Sequence, residues 1–286
     1  MVFPSVFSLM TSLAALNGST DASTAPTLPD FMLVWADTFG GEAGSAPSTV
    51  NWIHETGAQS NDEIETYTTT TDNCYLTGEG SLQIVPLLSD TGEWTSCRLE
   101  SKEQFTCAEG GMMVMQALIK LGSNAGIGDH QGIWPAFWAL GASILHGTQW
   151  PECGEWDIME NINADALGYG TLHCADACDG STGLTAGVDF TYDEFHTWAL
   201  AVDRTNSDWT QQELRWYLDG VLYHTITGSD LGNQTDWATV TADPFFIILN
   251  VAVGGDWPGD PDSATADGVA SGMEVQYVGV YASTNT

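Results

Sequence analysis

The chain has 286 residues, with 38 acidic against 5 basic side chains, a formal charge of -33, an apolar fraction of 43% and 12 Trp. Such a charge repels phosphate backbones and anionic membrane surfaces, which excludes nucleic acid and acidic lipid as partners and favours a neutral or cationic ligand. The apolar and aromatic content argues against a disordered chain, and the length suits one large all-β domain.

The N-terminal text reads MVFPSVFSLMTSLAALNGSTDAS, apolar or small over residues 3–16 and abruptly polar afterwards. It has the apolar stretch of a secretory leader, without a basic residue near Met1, and it sets residues 1–24 apart from the fold. Cleavage is expected between Ala14 and Thr24, and the mature protein is expected outside the cell. No later stretch is long enough to span a bilayer, PFFIILNVAVGG (244–255) included, and no apolar tail follows Tyr281. No linker or repeat interrupts the remainder, so 28–286 reads as a single domain, expected to act as a monomer.

Beyond the leader, short runs rich in Val, Ile, Phe, Tyr and Trp recur between Gly, Asp, Asn and Thr clusters. They predict strands at 81–87, 111–120, 134–140, 155–162, 195–203, 213–218, 221–226, 245–253 and 273–281. Asp219-Gly220 lies between two apolar-aromatic runs and predicts a tight hairpin. The pattern is antiparallel and all-β, and a two-sheet packing leaves an outer face that can carry a cleft. Segments 40–60, 89–110, 122–133, 176–190 and 227–243 are long enough to rim it. Six Cys suit an oxidising compartment, with Cys97–Cys107 and Cys174–Cys178 as the short-loop pairings. His173, Cys174 and Cys178 are of metal-ligand type, but without a CxxC pair disulfides or buried thiols are the preferred reading.

The chemistry concentrates in GEWDIMEN (154–161), which sets Glu155, Asp157 and Glu160 in otherwise apolar text. Burying a carboxylate is costly unless it is satisfied or used. Strand alternation places Glu155 and Asp157 on one face and sends Glu160 to the other. One β-bulge at Ile158–Met159 brings all three together. Retaining glycoside hydrolysis needs two carboxyls about 5 to 5.5 Å apart, one to attack and one to protonate the leaving oxygen. Crowded like charges raise a pKa and keep such an acid protonated. An acidic strand facing solvent and a divalent-cation site are the competing readings. Tryptophans in polar or Gly-rich text supply flat apolar faces that stack on sugars, although most of the twelve should be packing residues.

With its neighbours, this run closely resembles the active-site strand of family 16 glycoside hydrolases, in the laminarinase-like branch with the spacing E-x-D-x-x-E. The resemblance extends in order through WADTF (35–39), NDEIETYT (61–68), GSLQIVP (80–86), WTSCRLES (94–101), GIWPAFWALG (132–141), TLH (171–173), EFHTWAL (194–200), FFIILNVAVGGDWPG (245–259) and MEVQYVGVY (273–281). It implies a concanavalin-like β-jelly-roll sandwich of two antiparallel sheets with a concave substrate cleft. The implied activity is endo-acting, retaining cleavage of β-1,3 or mixed β-1,3/1,4-glucan. A transglycosylase, a galactan-active relative and a non-catalytic glucan-binding protein are the alternatives.

The resemblance implies Glu155 as nucleophile, Glu160 as acid/base and Asp157 as the supporting acid. It also implies substrate contacts from Asn61, Glu65, Arg98, Trp134, Trp138, His173 and Trp257. For Arg98 the bland alternative is a structural ion pair, for His173 a core histidine, and for Trp257 loop packing. No cofactor or catalytic metal is required. A structural calcium on the convex side, which many relatives bind, is disfavoured because Gln276 and Gly279 stand where relatives often have Asp and Arg. Trp156 replaces a usual aliphatic, and Cys97 replaces a small Gly, which suggests a local disulfide with a loop cysteine.

Overall fold

A computed structural model describes residues 24–57, 60–122, 129–178 and 182–284. The leader assigned to residues 1–24 lies outside them but for its last residue. Two large antiparallel sheets, of eight and seven strands, pack as a β-jelly-roll sandwich beside a small three-stranded sheet. All nine predicted strands are present, from Leu82–Ile84 to Met273–Ser283. Asp219 and Gly220 take φ of 49° and 76°, the left-handed pair of the predicted hairpin, between the paired Leu218 and Val221.

Alternation sorts each central strand into two faces. In the seven-stranded sheet, Phe137 and Ala139, Ile247 and Leu249, and Trp156 and Leu172 point inward. They meet Met115, Ala117, Trp198, Leu200 and Trp216 of the other sheet in one continuous core. Trp156 stacks on Phe245 at 3.7 Å between ring centroids, and its indole N–H donates to the Val240 carbonyl. Burying an indole contributes about 4–6 kcal/mol, an upper estimate from 150–250 Å² of area. Strand Leu167–His173 turns glycines inward, because a Cβ on Gly168 would lie 2.2 Å from the Trp198 ring and one on Gly170 2.5 Å from that of Trp216.

Segment 227–243, expected as a rim loop, instead forms helices Gly228–Leu231 and Gln234–Ala242. Asn233 caps the second by accepting from the backbone N–H groups of Thr235 and Asp236. Its buried residues Trp237 and Val240 join the core, so this segment closes the sandwich rather than lining the cleft. Among the described residues no helix is long and apolar enough to cross a membrane.

The cysteines divide. Cys174 and Cys178 form the expected disulfide, which removes both as metal ligands beside His173. The Cys97–Cys107 expectation is corrected, since both are free thiols. Cys107 sits against the Gly111 and Val202 carbonyls, while Cys97 faces His54.

Candidate active site

The site lies on the outer face of the seven-stranded sheet, and strand register explains its contents. Ala136 pairs with Glu160 and Trp138 with Asp157, so two steps on one strand match three on the other. Across the next ladder Asp157 pairs with Thr171 and Glu160 with Tyr169, again two steps against three. The extra residue falls between Asp157 and Glu160, at the expected β-bulge, and Ile158 and Met159 are both completely buried. Glu155, Asp157 and Glu160 therefore all line one cleft. The indole N–H of Trp216, reaching from the opposite sheet, donates to the Asp157 carbonyl at 2.8 Å and anchors the bulge from below.

The cleft has two connected lobes, of about 320 and 570 Å³, which share Asn61, Trp134, Trp150 and the three acids. Trp134 donates its indole N–H to Glu160 at 2.9 Å. Trp257, 42% exposed, meets Trp134 edge-on at 5.5 Å, and Tyr169 packs edge-on against Trp257, giving an aromatic wall. His173 Nε2 lies 3.2 Å from Asp157 Oδ2 and 3.9 Å from Glu155 Oε1. That Asp157 oxygen is buried without a hydrogen-bond partner, so the contact is one of proximity.

Arg98 lines the floor of the cleft and also forms the ion pair named as its alternative. It is 8% exposed, donates to Glu100 and lies 4.9 Å over the Trp138 ring. Trp138 in turn donates to Asn250, which donates to the Tyr67 hydroxyl.

Burial raises the pKa of all three acids. Glu155 is pushed well up by desolvation and by the Asp157 charge, with the neighbouring His173 and the Arg98 charge opposing this. Glu160 is likewise raised by desolvation and Asp157, against the Trp134 hydrogen bond. Asp157 is raised to about 8 by burial. The triplet therefore carries fewer than three charges near neutrality.

Of the residues expected at the site, Asn61, Arg98, Trp134, Trp138, His173 and Trp257 line the cleft together with the three acids. Glu65 does not. It is 1% exposed and accepts the Val253 N–H at 2.7 Å beneath the cleft. Burial and the nearby Glu63 charge raise its pKa to about 7. Asn61 and Asp62 both adopt left-handed backbone, and the chain turns so that Glu63 lines the cleft instead.

Trp150, one of the tryptophans in polar or Gly-rich text, also lines the cleft, as do Tyr169 and Asn250, which the sequence reading did not single out. Both of the latter carried a signal: Tyr169 alternates with Thr171 and His173, and Asn250 is a lone polar residue in the apolar strand FFIILNVAV. Among the described residues, two groups bring three potential metal donors together: Glu155, Asp157 and His173 here, and His54, Cys74 and Cys97 elsewhere.

Residues 38–208 match the family described as "XgeA-like, catalytic GH16 domain". The chain belongs to glycoside hydrolase family 16. This GH16 protein superposes on an endo-1,3-beta-glucanase from Streptomyces sioyaensis with a TM-score of 0.84 and 34% identity, over 91% of this chain and 99% of that one. It is 30% identical to a beta-glucanase of Rhodothermus marinus, covering 88% of this chain and 86% of the relative. It is 26% identical to glucan endo-1,3-beta-glucosidase A1 of Niallia circulans, over 90% of this chain but only 39% of that longer protein. The GH16 protein is a glycoside hydrolase whose fold matches the laminarinase-like expectation.

Proposed function

We propose that this enzyme is a secreted, endo-acting hydrolase of β-1,3- or mixed-linkage β-1,3/1,4-glucans, with Glu155 as nucleophile, Glu160 as acid/base and Asp157 as supporting acid. One observation carries the reading: a single bulged strand presents three acids into one cleft walled by indoles. The names of the Streptomyces and Rhodothermus relatives support β-glucan as the substrate class. An uncharged polysaccharide also suits a chain of charge -33. The apolar leader supports export.

In the first step Glu160 donates a proton to the glycosidic oxygen while a Glu155 oxygen attacks the anomeric carbon. The carbon–oxygen bond to the leaving sugar breaks and a glycosyl ester forms on Glu155. In the second step ionised Glu160 takes a proton from water, whose oxygen attacks the same carbon and releases Glu155. Desolvation favours a proton on Glu160 at the start, and the Arg98 charge partly offsets the same effect at Glu155. Asp157, between them, tunes and orients the pair, and neither step requires a metal.

Product lengths over time on laminarin, lichenan, galactan and pustulan test the proposal. Mid-chain cutting of laminarin or lichenan is expected, without action on galactan or pustulan. Glu155→Gln should nearly abolish turnover and leave laminarin binding measurable. Cleavage of galactan alone, products longer than the substrate as the main outcome, or E155Q activity within about tenfold of wild type would contradict it.

A further inference from the structure

His54, Cys74 and Cys97 come from three separate stretches of chain that meet at one side of the sandwich. His54 ends Trp52–His54, an edge strand of the cleft sheet, and Cys74 opens Cys74–Leu76, an edge strand of the opposite sheet. Cys97 is the residue between strands Trp94–Ser96 and Arg98–Ser101. Both thiols are completely buried and His54 is half-buried. One donor atom from each residue lies within 4.8 Å of the other two, and His54 Nδ1 is 3.9 Å from Cys97 Sγ.

We propose that these three residues form a zinc site that fastens the two sheets together. Zinc bonds of about 2.3 Å to sulfur and about 2.0 Å to nitrogen, set tetrahedrally, put nitrogen and sulfur roughly 3.5 Å apart and two sulfurs roughly 3.8 Å apart. The observed N···S spacing is within a few tenths of an ångström of that. Two thiolates and a neutral imidazole are soft donors and cancel the charge of a dication, so a buried site carries no net charge. Cys107, by contrast, has no histidine beside it and points its thiol at backbone carbonyls. On binding, each thiol releases its proton to solvent as the metal–sulfur bond forms, and the fourth position is left to water on the His54 side.

The test uses the whole protein, purified under reductant, stripped with chelator and titrated with Co²⁺ and then Zn²⁺. One Co²⁺ per chain should give a sulfur-to-cobalt charge-transfer band in the near ultraviolet, which Zn²⁺ removes. The acids of the cleft, having no sulfur, cannot produce that band. Zn²⁺ should also raise Tm above that in chelator. Cys74→Ser and Cys97→Ser should abolish the band, Cys107→Ser should keep it, and His54→Gln should weaken Co²⁺ binding about tenfold or more. If a serine variant fails to fold, H54Q and the zinc-dependent Tm of the wild type decide. No band, a band surviving in the double C74S/C97S variant, or an intact mass revealing a Cys74–Cys97 disulfide would overturn the site.

Discussion

Asp157 is the least solvated acid of the site, 3% exposed, with one oxygen that accepts no hydrogen bond. Its folded pKa of about 8 stands against an ordinary 3.8, so the fold holds a proton that the unfolded chain gives up. The stability it contributes is complete below about pH 4 and is lost as pH rises through about 8. Asp157→Asn should therefore raise Tm by several degrees at about pH 8.5, change it little near pH 4 and lower kcat, as thermal melts and laminarin assays will show. A Tm gain equal at both pH values would exclude ionisation as the cause. At this scale the sequence disclosed the three acids because carboxylates in apolar text are conspicuous. It misplaced Glu65 because nothing in NDEIETYT signals two consecutive left-handed residues, Asn61 and Asp62, which change the facing of the residues after them.

At the scale of elements, the bulge turns an ordinary amphipathic strand into a site, and Trp216 holds it from below. Trp216→Phe keeps an aromatic ring in place but leaves the buried Asp157 carbonyl short of a donor, which should cost about 1–3 kcal/mol in denaturant unfolding. Because the bulge sets the direction of Glu160, kcat should fall while KM changes little. Unaltered kcat with reduced stability would confine Trp216 to packing. Long strands such as 245–253 were legible from their apolar runs, and the bulge from the need to bring Glu160 onto the face of Glu155. Strands of two or three residues, such as Thr66–Tyr67 and Trp52–His54, are too short to show a period. Helix Gln234–Ala242 was missed because its core face is only Trp237, Val240 and Thr241 amid polar text, although that i, i+3, i+4 spacing after the cap Asn233 was a usable signal.

Across the whole molecule, five basic side chains face 38 acids. Arg98, Lys120 and Arg215 form ion pairs, while Arg204 and Lys102 donate to backbone carbonyls, so most acids lack a cationic partner. Self-repulsion should destabilise the fold at low salt, and screening should relieve it, giving a higher Tm at about 0.5 M NaCl than at about 10 mM. A Tm unchanged within about a degree would mean that the acids are too dispersed to matter. The same sandwich that spreads this charge gathers three acids into one cleft and divides the chemistry among them. Inactivating the enzyme with a 2-deoxy-2-fluoro laminaribiosyl fluoride, which slows release of the glycosyl ester, and mapping the labelled peptide by mass spectrometry reads that division. One adduct per chain, on Glu155, is the predicted result; an adduct on Glu160 or Asp157, or turnover with no covalent species, would contradict it.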